Sequence, residues 1–346
     1  MENKMVTMRE IAKRLNISVS SVSRALKDHK SIGLRTKMRV QALVKELGYE
    51  PNTAAISFKN GRTSILGVIL PNLTDGFFSS AISGIEDCAG KYKYTVLMGQ
   101  SYDDIEKEKS LVDAMKSHRV DGVLISIAKH TTNYAHFESF KKYNIPVVFF
   151  DRIPNIGNIH YVACNLFTGT IAAINYLFKK GHRVIGMING PEKLIASRER
   201  KEGYIEAMTK SRLKFDPSLI VNTDLSSEGV YQAAKELLSS KRKPTAIITF
   251  NDYVAMDAIT YARSQKLKIN KDIAFVSYAN EPWNNYTMFP PMASVEQFPY
   301  LQGQKATEIL MELINSGEGQ STDNRFKKII LESQLVVKQL HQLKGR

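Results

Sequence analysis

The chain has 346 residues, of which 43% are hydrophobic and 24% charged, a composition typical of globular proteins with sizeable cores. Its longest apolar runs are strand-sized and its N-terminus is polar, which excludes a bilayer span and a secretory signal and predicts a soluble, cytoplasmic protein. The net charge is +14, and residues 1–62 hold 13 Lys and Arg against 5 Asp and Glu. A small, strongly basic part ahead of a larger and less charged body is typical of a nucleic-acid-binding domain.

Catalytic and metal-binding signals are missing from the sequence. The two cysteines, Cys88 and Cys164, lie in apolar segments and form no C-x-x-C motif, and the seven histidines are scattered. The motifs G-x-G-x-x-G, G-x-x-x-x-G-K-[ST] and G-x-S-x-G do not occur. We therefore expect no metal, no cofactor and no enzyme active site.

Three short helices are predicted in the first 50 residues. Thr7 and Glu10 have the spacing of a capping box, which opens the first helix. After a tight turn, Ser18 is a good N-cap for a second helix over about residues 19–26. Two short helices joined by a three-residue turn are typical of a helix-turn-helix domain.

The second of these helices is the candidate DNA-reading element, because in this motif its N-terminal residues reach base edges in the major groove. Arg24 has the planar fork that binds a guanine edge or a phosphate, although alone it would be interpreted as a solvated surface residue. A third helix over about residues 34–47, ended by Gly48, completes the domain. The candidate DNA contacts here are Thr7, Ser18, Val19, Ser20, Ser21, Ser23 and Arg24.

The segment "PNTAAISFKNG", Pro51–Gly61, links this domain to the body. Asn52 is a good N-cap, but a helix this short is marginal in water because nucleation is costly. Phe58 is its one aromatic side chain, and from the residues alone it would be expected to pack on the surface of the body.

The body, residues 62–346, alternates apolar strands such as "SILGVIL", "PVVFFD" and "TAIITFN" with amphipathic helices. This alternation predicts doubly wound parallel sheets of the α/β class. About ten strands exceed the usual size of one sheet, so two lobes are expected.

Polar residues follow several predicted strands, at the edge where ligands bind in sheets of this kind. Carboxylates, amides and an arginine between two lobes suit a polyhydroxylated ligand, and aromatic residues, among them Trp283, would cover its apolar face. The alternative for each Asp and Asn is local helix capping, which we prefer for Asp252. The candidate ligand contacts are Asn72, Asp75, Phe77, Phe78, Asp151, Ser197, Arg200, Asn251 and Asn280.

The stretches "VTMREIAKRLNISVSSVSRALK" and "ELGYEPN" resemble the LacI (lactose-repressor) family of bacterial transcription regulators. The family pattern is V-T-x-x-D-I-A-x-x-x-x-V-S-x-x-T-V-S-R-x-L, followed by E-L-G-Y-x-P-N. Glu10, Ile17 and Ser21 depart from it. The third helix opens with Gly33 in place of the usual Ser cap and acidic residues, which predicts a weaker start because interactions with the helix dipole are lost.

The resemblance continues through "GVILPNLTDGFF", "PVVFFDR", "GHRVIGMINGP" and "PPMASVEQ", and implies a two-lobed, periplasmic-binding-protein-like core. The chain of such a core crosses between lobes three times, here near Val162, Met292 and Thr322. These crossings divide the body into lobe N, about 62–162 and 292–322, and lobe C, about 163–291 and 323–340.

The resemblance also implies roles for individual residues of the core. The ligand contacts of the family correspond to Asp151, Arg200, Asn251 and the aromatic pair near Phe77. Ala279 stands where an acidic or small polar residue is usual, so Asn280 is expected to take over part of that role.

For the linker, residues 51–61, the resemblance implies a hinge helix that folds on operator DNA and pairs with its copy in a dimer. Phe58 occupies the position of a leucine that wedges a central base step in the minor groove. Ala55 and its neighbour Ala54 allow two helices to approach, and Lys59 would reach a phosphate.

These observations predict a bacterial, nucleoid-associated transcription regulator that acts as a repressor. Its partners would be a pseudo-palindromic DNA operator, a second copy of the chain and a small effector, a sugar or sugar phosphate, with no membrane contact. Three alternatives are a DNA-binding regulator with a protein effector, a sugar-binding transport protein and an α/β enzyme. The basic N-terminal part disfavours the transport protein, and the missing motifs disfavour the enzyme.

Overall fold

The computed structural model describes residues 6–49, 61–213, 215–316 and 326–338. It divides into two compact units, Met1–Thr63 and Ser64–Arg346. The predicted hinge segment 51–61, apart from Gly61, lies outside the described residues. The first unit contains three helices: α1 (Met8–Leu15), α2 (Val19–Leu26) and α3 (Leu34–Glu46).

The ends of α1 and α2 follow from local chemistry. The Thr7 hydroxyl accepts a hydrogen bond from the Glu10 N–H at 3.3 Å, and the Ser18 hydroxyl accepts one from the Ser21 N–H at 3.0 Å. The reciprocal half of the predicted capping box is wrong, because the Glu10 side chain pairs with Arg14 at 3.2 Å instead. Both side chains are exposed to solvent, so this ion pair adds little stability.

The third helix begins without a side-chain cap and without acidic residues in its first turn, as its sequence predicts. Gly48, just beyond its end, has a φ of +58°, a left-handed conformation that glycine adopts readily. The three helices enclose a small core in which Ile11, Val22 and Val40 are fully buried.

Two six-stranded sheets form the second unit. Sheet A has the order β11-β5-β4-β3-β1-β2, and sheet B has the order β12-β10-β9-β8-β6-β7. The strands are parallel, as predicted, except β12, which runs antiparallel to β10 at the edge of sheet B. The strands are β1 (Ile65–Leu70), β2 (Thr95–Gln100), β3 (Gly122–Ile125), β4 (Val147–Phe150), β5 (His160–Asn165), β6 (Ile185–Asn189), β7 (Ile220–Asn222), β8 (Ala246–Thr249), β9 (Ala274–Tyr278), β10 (Ala293–Glu296), β11 (Lys328–Glu332) and β12 (Gln334–Val337).

Helices cover both faces of each sheet, which is why strands such as β1 and β4 are apolar throughout. The helices of the second unit are α4 (Gly76–Lys91), α5 (Ile105–Ser117), α6 (Ala135–Glu138), α7 (Leu166–Lys179), α8 (Ile195–Lys210), α9 (Ser227–Ser239), α10 (Asp252–Ser264) and α11 (Pro299–Ser316). Sheet A with α4, α5, α6 and α11 is lobe N, and sheet B with α7 to α10 is lobe C.

Two glycines set the distance between α4 and α11 in lobe N. A Cβ atom at Gly84 would overlap the backbone carbonyl of Tyr300, and one at Gly303 would overlap that of Ala81. The two helices therefore approach each other backbone to backbone at this point.

The crossings between lobes lie later in the chain than expected. They follow Asn165 at the end of β5, fall between Glu296 and Pro299, and occur at Ser333 between β11 and β12. The expected boundary at Val162 falls inside β5, and the one at Met292 lies just before β10. β11 belongs to lobe N, whereas the resemblance places residues 323–340 in lobe C. Both sheets use similar apolar strands, so the sequence pattern does not distinguish the sheet that each strand joins.

The first and third crossings are tied together by hydrogen bonds. The Ser333 hydroxyl donates to the Asn165 carbonyl at 2.8 Å, and the Asn165 side-chain amide donates to the Glu332 carboxylate at 3.1 Å.

Candidate ligand cleft and DNA-contacting surface

Helix α2 presents a polar face to solvent in the first unit. Val19, Ser20 and Arg24 are exposed, while Ser21 and Ser23 are half-buried beside the core. Thr7 and Ser18 are exposed too, but their hydroxyls are engaged in capping, and the Ser18 hydroxyl also contacts that of Ser20 at 2.8 Å. The arrangement agrees with a recognition helix, with the exposed Arg24 the only charged side chain among these predicted contacts.

The remaining predicted DNA contacts, Asn52, Ala55, Phe58 and Lys59, lie outside the described residues. Their roles stay predictions.

A cleft lies between the lobes, at the carboxyl ends of the parallel strands. Six of the nine predicted ligand residues line it. The lining residues are Asp75, Phe77, Phe78, Asp151, Arg152, Leu194, Ala196, Arg200, Phe250, Asn251, Tyr253, Ala279, Glu281 and Gln297.

Arg200 is the main hydrogen-bond donor of the cleft. It comes from α8, is only 3% exposed, and its guanidinium lies over the rings of Phe250 at 4.1 Å and Tyr278 at 4.3 Å. Its Nε and Nη1 atoms have no hydrogen-bond partner among the described residues. Burial lowers the pKa of this guanidinium, while Asp151 and Tyr278 act against that shift. Leaving these buried donors unpaired costs free energy, so Arg200 is suited to donate hydrogen bonds to the oxygen atoms of a ligand.

Asp151 provides an acceptor at the end of β4. Its backbone is left-handed, with a φ of +56°. This uncommon conformation sets the direction of the side chain at the point where β4 has ended. Burial raises the pKa of this carboxyl to about 6, and the nearby Arg152 and Arg200 limit the rise. Arg152 itself is bound to Asp103 at 2.6 Å, so its charge is already paired.

The aromatic wall consists of Phe77 and Phe78, both buried, with their rings 5.3 Å apart in an edge-to-face arrangement. Phe250 adds a third ring from lobe C. Trp283 is not part of the wall; its ring packs 5.2 Å from that of Tyr253.

Asp75 and Asn251 combine two roles that the sequence offered as alternatives. Asp75 caps α4 by accepting from the Phe77 N–H at 3.0 Å, and Asn251 caps α10 by accepting from the Val254 N–H at 2.9 Å. Both residues also line the cleft. Burial raises the pKa of Asp75, against the capping hydrogen bond, which lowers it.

Three predicted ligand residues, Asn72, Ser197 and Asn280, do not line the cleft. The exposed Asn72 accepts hydrogen bonds within its own turn, from the Thr74 N–H and hydroxyl at 3.0 and 2.9 Å. Ser197 lines a separate groove on lobe C between α8 and the ends of β6 and β7.

The expected substitute for the missing acid, Asn280, is engaged elsewhere. Its amide donates to Glu296 at 2.8 Å and accepts from Lys338 at 2.6 Å, so both ends of the side chain are occupied. Ala279 lines the cleft with a methyl group instead.

Asp252 has the structural role preferred for it. The fully buried carboxylate accepts hydrogen bonds from the Ser277 hydroxyl, the Ser294 hydroxyl at 3.2 Å and the Glu281 N–H at 2.6 Å. The network holds together the ends of β9 and β10 beside the cleft.

Sequence reasoning noted Arg152 and Glu281 among the polar residues after strands without selecting them as ligand contacts, and it missed Tyr253, Phe250 and Gln297 as lining residues. Arg152 and Glu281 carried a usable signal, because each directly follows a polar residue at the end of a strand. Phe250 did not, since a terminal strand phenylalanine usually packs in the core.

In the parts of the chain that the structure describes, no group of three or more His, Cys, Asp or Glu residues could hold a metal ion. Within the same ranges, no helix combines the length and the apolarity that crossing a membrane requires.

A helix-turn-helix unit and a two-lobed sheet structure around a polar cleft define the class of ligand-responsive DNA-binding regulators. The family description "Bacterial regulatory proteins, lacI family" matches residues 7–52, and "Periplasmic binding proteins and sugar binding domain of LacI family" matches residues 63–332. The chain belongs to the LacI family. It is a DNA-binding transcription regulator and not an enzyme.

Similar proteins support this assignment. The chain is 29% identical over 306 residues to the HTH-type transcriptional repressor CytR of Escherichia coli (strain K12), covering 88% of this chain and 89% of CytR. Among solved structures, the Lac repressor dimer bound to operator and the anti-inducer ONPF has a TM-score of 0.82 at 23% identity, covering 96% of this chain and 98% of that one. The transcription regulator CcpA of Lactococcus lactis has a TM-score of 0.70 at 27% identity, covering 78% and 96%.

Proposed function

We propose that this protein is a homodimeric repressor whose affinity for a pseudo-palindromic operator is controlled by a sugar or sugar derivative bound between the lobes. The observation that carries the ligand part is the buried guanidinium of Arg200, which has unpaired donors facing the cleft. The exposed face of α2, with Arg24, carries the DNA part.

The charges of the cleft favour an uncharged sugar over a sugar phosphate. Three carboxyl groups, those of Asp75, Asp151 and Glu281, line it, whereas Arg200 is the one lining arginine that Asp103 does not already bind. A phosphate would be repelled by these carboxylates, while hydroxyl groups would donate to them and accept from Arg200. The aromatic wall would cover the apolar face of a sugar ring.

A second copy of the chain is the partner that fits the exposed apolar surface of the second unit. In lobe N, Met98 on the edge strand β2 is 40% exposed and Tyr102 is 64% exposed. In lobe C, Tyr286 and Met288 are 90% and 72% exposed. Large exposed apolar side chains on both lobes are typical of an association surface, and a dimer would present two recognition helices to two half-sites in the nucleoid DNA of a bacterial cytoplasm.

The proposal is tested first on the ligand. In a thermal-shift screen of unphosphorylated and phosphorylated sugars, we expect a ligand from the first group to raise the Tm of the wild-type protein. Arg200→Lys keeps the positive charge but loses the planar fork, so the same ligand should lose most of its shift. A ligand that binds both proteins equally would place the site elsewhere.

The DNA part is tested with Arg24→Ala and the matched control Arg35→Ala, an exposed arginine on α3. We expect Arg24→Ala to weaken binding to a selected operator fragment by tenfold or more, on the order of 1–3 kcal/mol, with the ligand shift unchanged. An equal loss for both variants would mean that only the general charge of the domain matters.

A further inference from the structure

The Glu281 side chain bridges the two lobes at one side of the cleft. The residue follows β9 of lobe C and is 3% exposed. Its carboxylate reaches the first turn of α4 in lobe N, where it lies against the backbone of Gly76. The contact is so close that a Cβ atom at position 76 would overlap Oε2.

The backbone of Glu281 is fixed within lobe C. Its N–H donates to the Asp252 carboxylate at 2.6 Å, and its carbonyl accepts from the Asn284 N–H at 3.1 Å. Because Asp252 is itself held by two serine hydroxyls, the carboxyl group of Glu281 extends from a rigid base. The N-terminus of a long helix presents free N–H groups to a carboxyl oxygen, so the start of α4 is a suitable donor for this contact.

We propose that Glu281 is a positioning residue, which holds lobe N against lobe C through the N-terminus of α4 and does so more firmly when its carboxyl group is protonated. The contact sets the width of the cleft and needs neither ligand nor DNA. Its failure would therefore leave the proposed regulatory function untouched.

The charged groups around Glu281 give the sign of the proton effect. Burial raises the pKa of Glu281 to about 7, together with the acidic side chains of Asp75 just before α4, Asp252 on α10 and Glu296 on β10, while the Phe77 N–H lowers it. When the lobes separate, water reaches the carboxyl group and its pKa returns towards the ordinary value of 4.5.

The contacting arrangement therefore binds the proton more tightly than the separated one. The free-energy advantage that protonation gives to the contacting arrangement is complete below pH 4.5 and is lost as the pH rises through about 7. The expected change in the ratio of contacting to separated lobes is on the order of a hundredfold.

A natural reporter lies next to this contact. Trp283 is the single tryptophan of the chain, and its ring packs 5.2 Å from that of Tyr253, which lines the cleft together with Phe77 of α4. Separation of the lobes would remove α4 from Tyr253 and change the surroundings of the indole ring.

The experiment is a titration of the full-length protein between pH 5 and 9, followed by tryptophan emission and by the radius of gyration from small-angle X-ray scattering. For the wild type we expect one transition centred near pH 7, with the more compact form at low pH. Glu281→Gln, a neutral isostere of the protonated acid, should stay compact without a transition. Glu236→Gln, an exposed acid on α9, should titrate like the wild type.

Two further variants test the contact from both sides. Gly76→Ala should drive the carboxyl group away and give the expanded form even at pH 6. Glu281→Ala should also be expanded and flat, and adding Gly76→Ala to it should change nothing more, since the overlap is then gone. If Glu281→Gln titrates like the wild type, or if the wild-type radius is the same at pH 6 and 8, the inference is wrong.

Discussion

The buried carboxylate of Asp252 offers a quantitative test of its structural role. Asp252→Asn keeps the shape of the side chain but replaces one acceptor oxygen by an NH2 group. That group would face the Glu281 N–H or one of two serine hydroxyls, all of which donate to the aspartate.

The cost follows from the number of donors left without an acceptor. The hydroxyls of Ser277 and Ser294 lie 3.2 Å apart and can turn towards each other, but the Glu281 N–H cannot turn. One buried donor without a partner costs about 1–3 kcal/mol, and the lost charge-assisted bonds add to this. We expect the free energy of unfolding of the second unit to fall by about 3 kcal/mol.

Urea denaturation followed by circular dichroism would measure this loss, with Asp257→Asn on the same helix as the control. The Asp257 change should lie within about 0.5 kcal/mol of zero. A loss of under 1 kcal/mol for Asp252→Asn, or equal losses for both variants, would refute the structural role and return Asp252 to the set of candidate ligand contacts.

Three further predictions concern a cap, a helix crossing and the thiols. Ser18→Ala should destabilise α2 by about 1 kcal/mol, seen as faster hydrogen exchange of its amides; unchanged exchange would contradict the cap. Gly84→Ala should lower the unfolding free energy by about 1–3 kcal/mol, because the new methyl group overlaps a carbonyl of α11, whereas Gly90→Ala on the same helix meets nothing within 4 Å and should not destabilise. Burial raises the pKa of Cys164 to about 12 and also raises that of the buried Cys88, so neither thiol should react with Ellman's reagent at pH 8 until the protein is unfolded, and a rapid reaction would contradict their burial.

Local features of this protein were predictable because each depends on a few neighbouring residues. The caps at Thr7 and Ser18 and the left-handed Gly48 follow from side-chain chemistry within one turn. The two-lobed α/β class followed from the alternation of strands and helices, which is a property of the whole chain and tolerates errors in single elements.

The candidate site was only half predictable, because a position at the end of a strand does not fix where its side chain points. Asp151 and Asn280 both follow strands and both have a positive φ, yet Asp151 lines the cleft and Asn280 binds Glu296 and Lys338. Lys338 lies far along the chain, on the segment after β12, so nothing near Asn280 in the sequence announces this partner.

The link between β11 and β12 limits how the lobes can move. Ser333 alone separates a strand of sheet A from a strand of sheet B, and its hydroxyl binds the carbonyl of Asn165, where the first crossing begins. Any rotation of one lobe on the other must turn about a point close to these two residues, since both strands are locked into their sheets.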